Sequence, residues 1–263
     1  MHTIKLVSMM SDNARPTYQA IAGYLGDHAG IRAMLVTDAT WQEQEQLLDQ
    51  GRAEVGFVCG LPYTRKLHRV ELLAAPVMCA ARYRGRPIYF SDVVVRADSA
   101  FRRFADLRGA GLAYNDAGSF SGYAVLGAHL AALGAASGYF GSAVESGAHL
   151  CSLQLVAEGA VDAAAIDSVV LELEFTRRPE LSAQFRVVEA IGPSPIPPVV
   201  VARHVPAALQ CRLRSALLRM HEDDQGRAIL AGGLIDRFVA VHDADYDDLR
   251  HKVRSAGGVR FAV

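Results

Sequence analysis

The sequence lacks the features that mark a membrane, nucleic-acid or metal-binding protein. None of its 263 residues lies in an apolar run long enough to span a bilayer. The net charge is −1 with both signs mixed, so there is no basic stripe to suit a nucleic acid. The four cysteines form no C-x-x-C pair and the nine histidines no ligand-like spacing. We therefore predict no disulfide framework, structural metal, cofactor, transmembrane segment or nucleic-acid partner.

The first ten residues lack the apolar core and the small-residue cleavage site of a signal peptide. Two interpretations stay open at this point. Either a signal peptide was removed before this numbering began, or the protein stays in the cytoplasm.

Strand-like and helix-like segments alternate along the chain, which predicts an α/β protein. The apolar runs predict strands at residues 4–8, 32–36, 55–59, 72–78, 88–96, 111–114, 163–166, 185–190 and 199–201. Helical periodicity predicts helices at residues 17–25, 41–48, 123–133, 151–158, 168–177, 206–220 and 244–253.

An internal similarity predicts two related lobes. Residues 47–60 and 155–168 each run from an apolar helix end through a glycine and an acidic residue into a buried strand, and this places Cys59 opposite Asp167. The opening strand and its loop, residues 6–13, likewise resemble residues 112–118. The alternative is that helix–Gly–strand units recur by chance, since that helix end is common.

The lobe junctions are expected in two extended segments, residues 88–98 and the proline-rich 191–198. We thus predict one discontinuous lobe, residues 1–95 and 196–263, and an inserted lobe, residues 96–195. Because ligands of open α/β sheets bind beyond the carboxyl ends of strands, we expect the ligand in a cleft between the lobes. We also expect both junctions to act as hinges.

Residues 113–123 combine a strand end, a polar loop and a helix start. Ser119, Ser121 and the flexible Gly122 lie where a helix presents unpaired N–H groups and the positive end of its dipole. This arrangement can hold a small oxyanion without lysine or arginine. The alternative is an ordinary serine N-cap.

Several stretches together resemble the phosphate/phosphonate-binding periplasmic protein family, the substrate-binding subunits of certain ABC importers. They are residues 55–63, 94–99, 106–109, 114–122, His149 and 159–167. The resemblance implies a class II periplasmic-binding-protein fold: two α/β lobes, two crossover strands and a ligand cleft. It also implies a small oxyanion ligand, an ABC importer membrane subunit as partner and a monomer. The location implied is the periplasm if a signal peptide was removed, and the cytoplasm if Met1 is the native start.

The resemblance also assigns roles to the residues of the loop. Ser119 and Ser121 would donate hydroxyls, Phe120 and Ser121 backbone N–H groups, and His149 a ring N–H. Phe120 stands where the family leads us to expect a hydroxyl residue, which removes one donor and argues against strict phosphonate specificity.

Other candidate ligand contacts each have a plainer alternative. His149 can equally be a solvated loop residue, and Asp167 can pair with a ligand ammonium or simply cap the next helix. Tyr63 and Tyr89 are candidate cleft residues for which core packing is the commoner role. Cys59 and Asn115 are candidates by their position after strands, although a structural role suits Cys59 better.

An enzyme on the same fold is the main competing hypothesis. Residues 118–122 place phenylalanine at the centre of what would be a G-x-S-x-G nucleophile turn. The order Ser121, His149, Asp167 also differs from that of α/β-hydrolases, although order alone does not exclude a triad. We predict a binding protein, with a cytoplasmic biosynthetic enzyme or a ligand sensor as the alternative.

Overall fold

The chain folds into two compact units. A computed structural model describes residues 3–135, 137–257 and 259–262. The first unit contains the residues up to Ile88 together with Pro195–Asp247, and the second contains Tyr89–Ser194 together with the residues from Asp248 onwards. The chain therefore passes from one unit to the other three times.

The described residues form eleven strands and ten helices. In chain order they are β1 (Thr3–Ser8), α1 (Arg15–Ala29), β2 (Arg32–Leu35), α2 (Trp41–Asp49), β3 (Val55–Phe57), α3 (Gly60–Arg65), β4 (Val70–Met78), β5 (Ile88–Arg96), β6 (Gly111–Tyr114), α4 (Val125–Ala132), β7 (Ser142–Glu145), α5 (His149–Ala157), β8 (Ala163–Asp167), α6 (Ser168–Arg177), α7 (Pro179–Ser182), β9 (Phe185–Pro195), β10 (Val199–Ala202), α8 (Ala207–Arg219), α9 (Asp224–Ala231), β11 (Ile235–Val239) and α10 (Asp247–Ser255).

The first unit is built on a six-stranded sheet in the order β11-β4-β10-β3-β1-β2. β1 pairs in parallel with β2 and β3, whereas β10 runs antiparallel to β3 and β4. Its central strands β3 and β10 are buried along their whole length, as expected of strands that read as continuous apolar runs. Tyr63 and Tyr246 belong to the core beside this sheet.

The second unit is built on a five-stranded sheet in the order β7-β6-β8-β5-β9. β6 pairs in parallel with β7 and β8, and β5 runs antiparallel to β8. Small residues of β8 (Ala163, Ala164 and Ala165) are fully buried at its centre.

The two sheets repeat one topology, as the internal similarity predicted. The order β2-β1-β3-β10 matches β7-β6-β8-β5: in each, the first two pairs are parallel and the third is antiparallel. Cys59 and Asp167 also correspond, since each is the residue before the helix that follows β3 or β8.

The unit boundaries lie close to the predicted ones but differ at the C-terminus. The boundaries at 88/89 and 194/195 fall in or beside the two segments expected to be crossovers. Residues from Asp248 onwards, which the sequence placed with the first lobe, group instead with the second unit. They do so because they pack against it: a Cβ built on Gly127 would lie 3.2 Å from that of Ala256.

Candidate functional site

The serine loop lies between β6 and α4 in the second unit. After the loop, residues Phe120–Ala124 form one wide helical turn that runs directly into α4, and Ala124 N–H donates to Ser119 O at 3.0 Å. Ser119 caps this turn, its Oγ accepting from Gly122 N–H at 3.1 Å. The N-cap alternative is therefore realised for Ser119, and its own hydroxyl hydrogen can still be donated.

Two backbone donors at this helix start have no acceptor. Within the described part of the chain, the N–H groups of Phe120 and Ser121 make no hydrogen bond, whereas the N–H groups of Ser119 and Gly122 do. A helix leaves its first N–H groups unpaired, and here they lie in a buried setting, with Phe120 2% and Ser121 5% exposed. Unpaired donors at such a place favour an anionic ligand.

Gly122 is required by a close approach of the loop to the helix. A Cβ at this position would lie 1.8 Å from Asn115 Oδ1. Asn115 Nδ2 donates to Asp116 at 3.0 Å, while its buried Oδ1 has no hydrogen-bond partner among the described residues. The candidate ligand residue Asn115 thus shapes the loop directly.

His149 is the first residue of α5 and its ring contacts Ser121. Nε2 lies 3.1 Å from Ser121 Oγ, and the histidine is 8% exposed, so the solvated-loop alternative does not hold. Burial lowers the pKa of His149 to about 4, an effect that the backbone of Ala165 partly offsets. The imidazole is therefore neutral near pH 7.

Ser91 supports the same turn from β5. Its buried hydroxyl donates to Ser121 O at 2.6 Å. Ser91 pairs in register with Asp167 across β5 and β8, so the two residues are neighbours on adjacent strands. Ser91 lies in the segment 88–98 that the sequence predicts as a crossover, and the alternation of β5, which places Tyr89 and Ser91 on one face, is the signal that could have singled it out.

Asp167 caps α6. Its Oδ1 accepts from Val169 N–H at 2.8 Å and from Val170 N–H at 3.4 Å. The residue is half-buried, but protein atoms surround the carboxyl closely, and this desolvation raises its pKa to about 7. The cap hydrogen bonds oppose that shift and the nearby Asp92 adds to it. Both cap bonds use Oδ1, so capping does not exclude a second role for this carboxylate.

The remaining candidates are packed as apolar residues. Tyr89 and Phe120 are buried, with ring centroids 6.5 Å apart. In the first unit, Tyr63 packs 4.8 Å from Tyr246 and its hydroxyl donates to Asp243 at 2.8 Å. Cys59 is half-buried, with Sγ 3.7 Å from Met9 O. For Tyr63 these contacts favour the core-packing alternative, and its ligand role stays a prediction.

A catalytic triad is not assembled around Ser121. A triad needs a carboxylate or similar group on His149 Nδ1. Among the described residues no carboxylate hydrogen-bonds to this ring: the backbone of Ala165 is the group that acts on it, and Asp167 is bonded to the start of α6 instead. The Ser121–His149 pair thus lacks the carboxylate of a triad.

Comparison with known proteins agrees with this fold. The family model for the periplasmic phosphonate-binding protein of ABC transporters matches residues 7–246. PhnD1 from Prochlorococcus marinus, solved in complex with methylphosphonate, has a TM-score of 0.85 at 15% identity, with 98% of this chain and 99% of that chain covered. A binding protein of an ABC phosphonate transporter from Pseudomonas aeruginosa gives 0.83 at 18% identity, covering 96% of this chain and 87% of that one.

A third similar structure carries a different ligand. XAC2383 from Xanthomonas citri, solved bound to ATP, has a TM-score of 0.75 at 19% identity, and 97% of each chain is covered. Identities this low show a shared fold, the class II periplasmic-binding-protein fold. The family model shows to which family the chain belongs. Among the described residues, no helix is both long and apolar enough to cross a membrane. The chain belongs to the family of periplasmic phosphonate-binding proteins that serve as substrate-binding components of ABC transporters.

Proposed function

We propose that this protein binds a small phosphate- or phosphonate-like oxyanion at the start of the Phe120–Ala124 turn and delivers it to an ABC importer. The observation that carries the proposal is the pair of N–H groups of Phe120 and Ser121 without acceptors. They belong to the same turn as the hydroxyls of Ser119 and Ser121, so four donor groups stand next to one another in the chain. Directed hydrogen bonds and the helix dipole together stabilise an oxyanion without a cationic side chain.

His149 acts in this proposal through Ser121. Because its pKa is about 4, the imidazole brings no positive charge to the ligand near pH 7. Nε2 of the neutral ring lies 3.1 Å from Ser121 Oγ, so this contact fixes the direction in which the serine hydroxyl points. This replaces the ligand contact expected for His149 with a role in directing the serine.

Asp167 is proposed to receive a cationic part of the ligand, where there is one. Its raised pKa reflects a carboxylate short of hydration, which an ammonium group would relieve. Tyr89, Phe120 and Asn115 complete the proposed surroundings of the ligand. Tyr63 and Cys59, in the first unit, remain candidate ligand contacts. Since Phe120 supplies no hydroxyl, we expect the site to accept related oxyanions besides phosphonates.

We propose that the protein is a monomeric, non-enzymatic binding protein that works in the periplasm with a membrane subunit. Family membership supports the transport role. Among the described residues no carboxylate hydrogen-bonds to His149, which argues against a Ser121 nucleophile. Light scattering after size exclusion tests the monomer.

The proposal is tested by calorimetric titration with phosphate, phosphite, methylphosphonate, 2-aminoethylphosphonate, sulfate and ATP. ATP is included because the similar XAC2383 was solved with it. Binding of at least one small oxyanion, without product formation, is expected. Turnover of a bound phosphonate, or no binding of any of these anions, would favour the biosynthetic-enzyme or sensor alternative.

A further inference from the structure

The C-terminal segment lies outside the matched family region and packs on the second unit. The family match ends at residue 246, and α10 begins at Asp247. Lys252 Nζ donates to Pro193 O at 2.9 Å and contacts Ser194 Oγ at 3.1 Å. These contacts fasten α10 to the end of β9.

Arg260 and Phe261, beyond the end of α10, are held by hydrogen bonds. Gly138 N–H donates to Arg260 O at 3.0 Å, and Phe140 N–H donates to Phe261 O at 2.9 Å. Arg260 N–H in turn donates to Ser137 Oγ at 3.0 Å. Phe261 is therefore held at a defined place, and it is 3% exposed.

The ring of Phe261 packs against the two tyrosines that flank the serine loop. Its centroid lies 4.4 Å from that of Tyr123 and 5.7 Å from that of Tyr114, and the two tyrosine rings are 5.0 Å apart. Tyr114 is the last residue of β6, directly before Asn115, and Tyr123 lies inside the Phe120–Ala124 turn. One aromatic ring thus contacts both ends of the proposed anion-binding loop.

We infer that Phe261 is a positioning residue that braces the serine loop in its anion-accepting conformation. The loop is costly by itself, because it holds unpaired N–H groups and the unpartnered Asn115 Oδ1 in buried surroundings. A binding loop that is already held in its bound conformation loses less entropy when ligand arrives. Packing of Phe261 on Tyr114 and Tyr123 supplies that restraint from outside the site. The link to affinity rests on the proposed function.

The test compares Phe261→Ala with Phe261→Leu and with a matched control. Phe175→Ala is the control, because Phe175 lies in the same unit and its ring stacks on Phe185, at 6.0 Å between centroids, rather than on Tyr114 or Tyr123. Hydrogen exchange of peptides covering residues 113–125 is measured in the free proteins, and methylphosphonate affinity is measured by calorimetry. Phe261→Ala is expected to speed loop exchange and weaken binding by about 3- to 20-fold, the usual range for an indirect coupling. Phe261→Leu, which keeps most of the apolar contact, is expected to restore both.

Each other outcome is informative. If Phe261→Ala lowers overall stability as Phe175→Ala does, but leaves loop exchange and affinity unchanged, the inference is overturned. If loop exchange rises while affinity stays at the wild-type value, the brace does not serve binding, and the inference is again overturned. If wild-type protein binds no oxyanion at all, the proposed function fails, and the link from Phe261 to affinity fails with it.

Discussion

At the scale of single residues, burial decides what His149 can do. Its folded-state pKa of about 4 lies below the value near 6.5 of an unfolded chain. The folded protein therefore binds fewer protons between these pH values, and the stabilisation present above pH 6.5 is lost as the pH falls towards 4. This difference corresponds to about 3 kcal/mol of unfolding free energy.

We expect His149→Gln to remove that part of the acid sensitivity. Urea unfolding at a series of pH values between 4 and 7.5 is the measurement, with the exposed His251→Gln as control. If the unfolding free energy falls equally with decreasing pH in wild type and His149→Gln, the pKa of His149 is not lowered by folding.

Replacing Asp167 is predicted to change the affinities for two classes of ligand in opposite directions. With a pKa of about 7, its carboxyl is charged at pH 8 and mostly neutral at pH 5.5. Asp167→Asn keeps a good N-cap but removes the charge. At pH 8 we expect methylphosphonate to bind more tightly, by about 1 kcal/mol, because like-charge repulsion is gone. We expect 2-aminoethylphosphonate to bind more weakly, because its ammonium loses a partner.

The pH dependence provides the control for this prediction. At pH 5.5 the gain for methylphosphonate is expected to shrink, since wild-type Asp167 is then largely protonated. The same change in affinity for both ligands at pH 8 would show that Asp167 acts only as a cap.

At the scale of elements, Gly122 and Asn115 are expected to be coupled. Gly122→Ala drives a Cβ into Asn115 Oδ1, so we expect a loss of about 1–3 kcal/mol in stability and weaker anion binding. The double variant Asn115→Ala/Gly122→Ala removes the obstructing oxygen and is expected to regain part of both. Thermal unfolding and calorimetry of the four proteins measure the cycle, and strictly additive effects would contradict the coupling.

Elements buried on both faces were the ones that sequence predicted well. Central strands such as β3 and β8 are continuous apolar runs between turn residues, so their signal is local. β7, at the edge of its sheet and largely exposed, lacks such a run and was missed, as were β11 and α9. The start of α5 was placed near Cys151 because Ala148, its N-cap, offers no capping side chain.

At the scale of the whole molecule, the expected hinges lie where the chain passes from one unit to the other. Periplasmic binding proteins respond to ligand by hinge motion, which a few residues at the passages can absorb. We expect a saturating oxyanion to reduce the radius of gyration measured by small-angle scattering. An unchanged radius, in a protein shown by calorimetry to be saturated, would contradict hinge motion.

The site itself was only partly readable from sequence. Ser119, Ser121 and Gly122 stand together in the chain, so their joint role is a local pattern. Ser91 reaches Ser121 only because β5 lies antiparallel to β8, and Phe261 reaches the loop from the far end of the chain. Contacts of this kind depend on the topology of the fold, which cannot be read from local patterns in a single sequence.

The central claim is that an oxyanion binds at the Phe120–Ala124 turn, and Ser121→Ala tests it most directly. Methylphosphonate titration at pH 7.5 is compared among wild type, Ser121→Ala and the exposed control Ser182→Ala. The account predicts that Ser121→Ala loses about 1–3 kcal/mol of binding free energy, because a charged oxygen is left one donor short. Ser182→Ala is expected to bind as wild type does. Full affinity in the Ser121→Ala protein would contradict the account.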